Sequence, residues 1–417
     1  MKSNITVAIF LLILFTRFYQ SKTPALPVRY ASMVDPALFS AQTADSVDLT
    51  PIANGGHHTK YLFVVTTDGL RWQEVFAGAD SALLFNRKYT PDPDATARRF
   101  WARDASQRRQ LLMPFFWSDV VREGQLYGNR RLGSEVNVAN NMWFSYPGYN
   151  ELFSGKSDDG RIFTNAKIIN PNETVLECLQ RRAAYRGKIA AFGTWDAFDF
   201  ILREQKAGFP VYCGTENQTP LAKAAATAMY QDGTVPPDFF TWSNAQHHIR
   251  TERPAVTFLS FDDTDARAHA GAYDHYLEAA NRFDGWMAEL WHFIQEDPEY
   301  RNQTTLMITT DHGRGTGRRW RDHNRLVEGS NAIWLAAIGP DTPASGEIGA
   351  SKRLYQAQVA QTMAHLLGYE FRPGQGVAPA IEAVFKTQDE PAVLALQKKA
   401  PSAVQIKENG VLPLVER

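Results

Sequence analysis

The stretch TTLMITTDHG, residues 304–313, is a run of β-branched and apolar residues that halts at an acid, a histidine and a glycine. A continuous run of this length fits a strand buried on both faces, as found in mainly parallel sheets covered by helices. Four more stretches share its form: YLFVVTTDG (61–69), KIAAFGTWD (188–196), AVTFLSFDDTD (255–265) and NAIWLAAIGP (331–340). Helical patterns lie between them. From Ala270 to Glu296, Tyr273, Leu277, Ala280, Phe283, Met287, Leu290 and Ile294 recur at three- and four-residue steps, which makes one apolar helix face. QAQVAQTMAHLL (356–367) is a second amphipathic segment, stopped by Gly368. The alternation predicts an α/β fold: a mainly parallel central sheet with helices on both faces and right-handed crossovers.

The chain has 417 residues, enough for one large α/β domain with insertions, or for two domains. A formal net charge of −1 argues against a general nucleic-acid binder, and no nucleic-acid-binding surface is evident. Lys2 precedes an apolar run from Ile5 to Phe15, which is a secretory signal pattern and too short to span a bilayer. The expected organisation is a signal peptide over 1–24, an extended leader over 25–58, a catalytic domain over 59–390 and a tail over 391–417. An inserted helix and loop region is expected at about 197–254. With the signal removed, no further segment reads as transmembrane, so the product is expected to be exported, periplasmic or extracellular. Cys178 and Cys213 could form one disulfide in an oxidising compartment or stand as two buried thiols.

Three of these strands end in carboxylates: Asp68 on the first, Asp262, Asp263 and Asp265 on the third, and Asp311 on the fourth. In an open parallel sheet, ligands bind outside the carboxyl ends of the strands. Asp68, Asp265 and Asp311 can therefore converge, and they would repel one another unless a cation sat among them. Histidines complete the set. His269 follows Asp265 by one helical turn, His312 adjoins Asp311, and His323 returns after the Arg/Gly-rich segment of TTDHGRGTGRRWRDHN (309–324). Mixed Asp and His ligands suit zinc, and also manganese or iron. So many ligands exceed the needs of one ion and suit a pair about 4 Å apart, the arrangement that serves phosphoryl transfer.

The expected nucleophile is Ser145, in NNMWFSYPGYNELFSG (140–155). Pro147 and Gly155 read as helix start and stop signals, which puts Ser145 at a helix N-terminus, where free backbone N–H groups favour phosphate. An adjacent metal would lower the pKa of its hydroxyl.

These positions, in this order, resemble the alkaline phosphatase superfamily, and most closely its type I phosphodiesterase/nucleotide pyrophosphatase branch. Asp68 in TTDGLRW matches the metal-binding Asp of the first strand. Ser145 in FSYPGY matches the nucleophile before a Pro-containing helix start. Asp265 and His269 match a D-x-x-G-H motif, with Ala268 in place of the usual Gly. Thr310–Gly313 match S/T-D-H-G. His323 matches the last histidine, with Asn324 where Gly often stands. The resemblance implies an alkaline-phosphatase-like fold and two divalent metal ions, zinc by preference. Asp265, His269 and His323 would hold one, and Asp68, Asp311, His312 and the Ser145 oxygen the other. It further implies that Asn165 helps hold a non-bridging phosphate oxygen.

The function this implies is hydrolysis of a small phosphate ester through a phosphoseryl intermediate. Trp143, Phe144, Tyr146 and Tyr149, as aromatic walls near Ser145, tilt the expectation to diesters or pyrophosphates over monoesters. A sulfatase is disfavoured because SYPGY lacks the Arg of C/S-x-P-x-R. A secreted binding protein on the same fold is the non-catalytic alternative. The arginines at 314, 318, 319 and 321 could attract an anionic substrate or simply face water.

Overall fold

The computed structural model describes residues 48–52, 57–214, 237–372 and 376–386. Its centre is an eight-stranded sheet. The strands are β1 (Tyr61–Thr67), β2 (Gly124–Tyr127), β3 (Ile189–Gly193), β4 (Val211–Cys213), β5 (Val256–Phe261), β6 (Thr304–Thr309), β7 (Leu335–Ile338) and β8 (Gly346–Glu347). Their spatial order is β8-β2-β7-β6-β1-β5-β3-β4. From β6 to β4 all neighbours are parallel, whereas β7 runs antiparallel to both β6 and β2. This is the expected mainly parallel sheet.

Both faces of the sheet are covered. Along β1, Leu62 and Val64 enter one apolar core while Phe63 and Val65 enter the other. That is why the strand reads as an unbroken apolar run instead of an alternating one. The helices that matter most are α1 (Ser145–Ser154), α2 (Pro237–Glu252), α3 (Asp263–Ala270), α4 (Tyr273–Glu296) and α5 (Gln358–Leu366). α4 buries Tyr273, Leu277, Ala280, Phe283, Met287, Leu290 and Ile294, the expected stripe, against the second core. Each such large apolar side chain contributes about 1.5–3 kcal/mol on full burial. A charge at Met287 would be buried with no partner. α1 and α5 pack on the opposite face of the sheet.

The stretch 331–340 divides at Trp334. Ala332–Ile333 pairs with Val136–Asn137 in a small sheet, while Leu335–Ile338 is β7. Inside the expected leader, Asp48–Pro51 is a strand paired antiparallel with Tyr369–Arg372, so this part belongs to the folded body. The expected signal segment and tail lie outside the described residues. Within 197–254, no strand was evident in the sequence, yet β4 forms an edge of the main sheet. Cys178 and Cys213 are both buried and not joined to each other: Cys178 accepts a hydrogen bond from Arg181, and Cys213 donates one to Asp199. Among the described residues no helix is long and apolar enough to cross a membrane.

Candidate active site and cation cluster

Strand register brings the acids together. Thr66 of β1 lies opposite Thr309 of β6, and Thr67 lies opposite Phe261 of β5. The chain therefore leaves three adjacent strands at one edge, into Asp68, Asp311 and the start of α3. The Asp-Gly step after β1 has a specific cause. Gly69 has φ +60, and a Cβ there would stand 2.6 Å from Arg314 Nη1 and 3.0 Å from Asp265 Oδ1. Only glycine fits that conformation and that space. Its N–H donates to Asp311 Oδ1 at 3.1 Å.

Ser145 opens α1 as expected, and Gly155 closes the helix in the left-handed conformation. The helix lies hard against the strand end: a Cβ on Gly148 would meet the Asp311 carbonyl oxygen at 2.4 Å. Ser145 Oγ sits 3.3 Å from His312 Nε2. Asn165 joins the same helix end, where its Oδ1 accepts the Tyr146 N–H at 3.0 Å.

The histidine tautomers follow from backbone acceptors. His312 Nδ1 lies 2.9 Å from the Gly313 carbonyl, and His323 Nδ1 lies 3.0 Å from the Trp143 carbonyl. A carbonyl can only accept, so both Nδ1 atoms carry the proton and both Nε2 atoms offer a lone pair. Around His312 Nε2 stand Asp68 Oδ1 at 3.2 Å and Asp311 Oδ2 at 3.5 Å. Those two carboxylate oxygens are buried and accept no hydrogen bond among the described residues. His269 Nε2 lies 3.2 Å from Asp265 Oδ2 and 3.1 Å from His323 Nε2. The His312 and His323 rings stack at 3.7 Å.

All seven residues expected to hold metal thus converge. Ligand atoms of Asp68, Asp311 and His312 lie within 4.8 Å of one another, and so do those of Asp265, His312 and His323. His312 therefore stands between the two groups, closer to Asp265 than the sequence grouping implied. A tetrahedral ion with bonds of about 2 Å has ligand–ligand edges of about 3.3 Å. The spacings around His312 Nε2 and His269 Nε2 match that edge.

Electrostatics point the same way. Burial, then the charges of Asp311, Asp265 and Asp262, push the Asp68 carboxyl well above its usual range. Burial would also raise Asp265, but the Arg314 guanidinium and the neighbouring histidines hold it well below. Burial and the nearby His312 push His323 down to about 2, so its ring stays neutral. A crowd of carboxylates with bare imidazole nitrogens and little countercharge is stabilised by cations.

The family model for type I phosphodiesterase/nucleotide pyrophosphatase matches residues 84–413. The chain belongs to this family. Asp68 lies ahead of the matched stretch. Type I phosphodiesterases and nucleotide pyrophosphatases are phosphoric ester hydrolases, and the cluster lies at the strand ends where this fold binds its ligands. Among solved structures, the phosphonate monoester hydrolase of Agrobacterium radiobacter is similar to this phosphodiesterase-family chain. Its TM-score is 0.54 at 11% identity, covering 79% of this chain and 78% of that one. The wild-type alkaline phosphatase PafA gives a TM-score of 0.52 at 10% identity, covering 79% of this chain and 99% of that one. These likenesses show an alkaline-phosphatase-like fold. A search of curated proteins finds no match.

Some expectations change. Tyr146 and Tyr149 are fully buried in the core and form no wall of the site. Phe144, next to Ser145 in the chain, does line a cavity of about 530 Å³, with Met142, Phe163 and Leu326 as its other apolar walls and Asp159, Asn324 and Arg325 as its polar ones. Asp196 is exposed and paired with Lys167, and Asp263 is paired with Arg282. The N–H groups of Asp262 and Asp263 are capped by Asp238. The four arginines separate: Arg314 is buried, Arg318 and Arg319 are exposed, and Arg321 is half-buried.

Several supporting residues carried no sequence signal. Asn140 Oδ1 accepts the N–H groups of Met142 and Trp143, and holds Trp143 at φ +56. Glu151, inside α1, in turn accepts from the N–H groups of Ala139 and Asn140 and from Asn140 Nδ2.

Proposed function

We propose that this chain is an exported two-cation phosphodiesterase that works through a phosphoseryl intermediate on Ser145. Asp68, Asp311 and His312, with the Ser145 oxygen, are assigned to one divalent ion. Asp265, His269 and His323 are assigned to the other, with zinc as the preferred metal. The observation that carries this reading is the pair of buried oxygens, Asp68 Oδ1 and Asp311 Oδ2, which accept no hydrogen bond among the described residues and face His312 Nε2 beside Ser145 Oγ.

When bound, the ions would supply positive charge to the phosphate oxygens and favour the ionised serine. The residues do the rest. Ser145 Oγ, at the start of α1, attacks phosphorus in line, and the ester alcohol leaves on the opposite side. At the helix N-terminus the Ser145 N–H is the one to face an equatorial oxygen, because the Tyr146 N–H is taken by Asn165 and Pro147 has none. The Asn165 side-chain oxygen is held by the Tyr146 N–H, and its amide NH₂ is assigned to a non-bridging phosphate oxygen. Water then attacks the phosphoserine, the Ser145–phosphorus bond breaks, and the serine regains a proton. Two inversions give net retention at phosphorus.

A diester is favoured over a monoester for two reasons. The cavity beside Phe144 gives room for a second ester group. The buried arginine nearest the cluster, Arg314, is taken by Asp265 and by backbone carbonyls, so it does not face an extra phosphate charge. The apolar run behind Lys2 supports export, and mass analysis of the secreted protein's N-terminus tests it.

The decisive experiment pairs elemental analysis with two substrates. Two bound divalent ions per chain, preference for bis(p-nitrophenyl) phosphate over p-nitrophenyl phosphate, and loss of turnover in Ser145→Ala with both ions retained are expected. Wild-type-like activity in Ser145→Ala would end the nucleophile assignment, and a large monoester preference the diester assignment.

A further inference from the structure

The segment between His312 and His323, rich in Gly and Arg, has the composition of a mobile surface loop, yet it must deliver a histidine to the cluster. We propose that Arg314 is the positioning residue that makes this possible, and that it also restricts Asp265 to one oxygen for cation binding. The proposal rests on the two-cation reading above.

The geometry is specific. The Arg314 side chain is buried, and all of its nitrogens are used. Nε donates to the Trp320 carbonyl at 3.1 Å, Nη2 to the Arg321 carbonyl, and Nη1 to Asp265 Oδ1. One planar fork thus ties the last turn before His323 to a residue on α3. A lysine, with one point charge, could not span these three acceptors. A second buried arginine braces the loop from below: Arg71, paired with Glu74, donates from Nη1 to the Gly315 carbonyl at 3.1 Å. The seat for Arg314 is cleared by Gly69, where any Cβ would strike Nη1.

The consequence for Asp265 follows from its two oxygens. Oδ1 faces the guanidinium and lies 3.7 Å from His323 Nε2, while Oδ2 faces His269 Nε2 at 3.2 Å. With the guanidinium on Oδ1, Asp265 is poised to offer a cation its Oδ2, the oxygen beside His269. The arginine acts through Asp265 and His323, so its effect should fall on one cation site and spare the site of Asp68, Asp311 and His312.

The test is zinc titration of the full-length chain against a chromogenic chelator, read as two binding steps, with thermal melting alongside. Wild type should take two zinc ions. Arg314→Met should weaken one of the two steps about ten- to a hundredfold and leave the other unchanged, as loss of one ligand's supporting partner does. Arg314→Lys should fall between them. Unchanged affinities in Arg314→Met would overturn the proposal. Equal weakening of both steps with a matching fall in melting temperature would also overturn it, because that is bracing of the fold alone. Should Arg314→Met fail to fold, Arg314→Lys is read by the same criteria. A wild-type chain that binds no zinc, manganese or iron would instead refute the two-cation reading, and this proposal with it.

Discussion

The main-chain carbonyl of Trp143 accepts the Nδ1–H of His323 at 3.0 Å, joining positions 180 residues apart in sequence. Trp143 lies two residues before Ser145, so the turn that presents the nucleophile also orients a histidine assigned to the far cation. The carbonyl points there because Trp143 adopts φ +56, held by Asn140 Oδ1. Left-handed backbone costs a non-glycine residue about 1–3 kcal/mol, and such strain persists only where the surroundings over-determine it.

That conformation can be tested without touching a ligand. Glycine adopts φ +56 freely, whereas a β-branched residue resists it. Trp143→Gly should retain kcat within about threefold, while Trp143→Val should lose about tenfold or more, consistent with a penalty of roughly 1–3 kcal/mol. Equal kcat values for the two variants would show that the turn does not govern the site.

Gly148 sets how closely α1 approaches the strand end. A Cβ there would lie 2.4 Å from the Asp311 carbonyl oxygen, a contact that backbone can relieve only by moving the helix and Ser145 with it. Gly148→Ala should cut kcat/KM by about a hundredfold, the usual consequence of displacing a reacting group by about 1 Å. Gly285 is the internal control: it is exposed in α4, and nothing lies within 4 Å of its Cβ position. Gly285→Ala should leave activity unchanged and raise stability by about 0.5–1 kcal/mol. Kinetics and urea unfolding of the two variants check both statements, and an active Gly148→Ala would show that the close approach is dispensable.

The long strands and α4 were legible because each is decided locally, by an unbroken apolar run or a three-to-four-residue repeat. The metal-type residues were legible because parallel topology makes strand ends converge. What stayed hidden depends on neighbours distant in sequence. Gly124–Tyr127, Val211–Cys213 and Gly346–Glu347 are too short to show a period, and are strands because adjacent strands pair with them. Tyr146 and Tyr149 read as site walls, but the Gly148 contact with Asp311 fixes the rotation of α1 and turns both into the core. Arg314 sits in a basic segment whose arginines read as attracting an anionic substrate or facing water, and only the folded loop supplies the carbonyls that bury it.

Asp284 predicts a pH dependence of stability. It is fully buried in α4, its oxygens accept the N–H groups of Phe115 and Phe116, and burial pushes its carboxyl up to about 7. The unfolded chain releases this proton near pH 3.9, so between about pH 4 and 7 the native state holds one proton more. Stability from this group is complete below the lower value and is lost as pH rises through the upper one. Glu151 and Asp238, also pushed up to about 7 by burial, act in the same direction. Asp284→Asn should lower stability overall yet flatten its decline from pH 5 to 7 by roughly 1.4 kcal/mol per pH unit, the worth of one proton. Urea unfolding of both proteins, stripped of metal so that ligand protonation does not contribute, measures the two slopes. Parallel slopes would show that Asp284 is ionised in the native state.

The cavity lined by Phe144 makes a prediction about substrate selection. Phe163 and Leu326 are 55% and 73% exposed, an unusual exposure for such large apolar side chains, and both line the space next to Phe144. Covering them with an apolar ester group would remove apolar area from water at about 25 cal/mol per Å². Because that contact is the same in the ground and transition states, it belongs in KM. Phe163→Ala and Leu326→Ser should each raise KM for bis(p-nitrophenyl) phosphate about three- to tenfold while leaving its kcat nearly unchanged, since partial exposure keeps the gain small. Turnover of p-nitrophenyl phosphate, which has no second ester group to seat there, should be unaffected in both KM and kcat. Steady-state kinetics on the two substrates separate the outcomes. An equal loss on monoester and diester would mean that the cavity supports the catalytic loop and does not select the substrate.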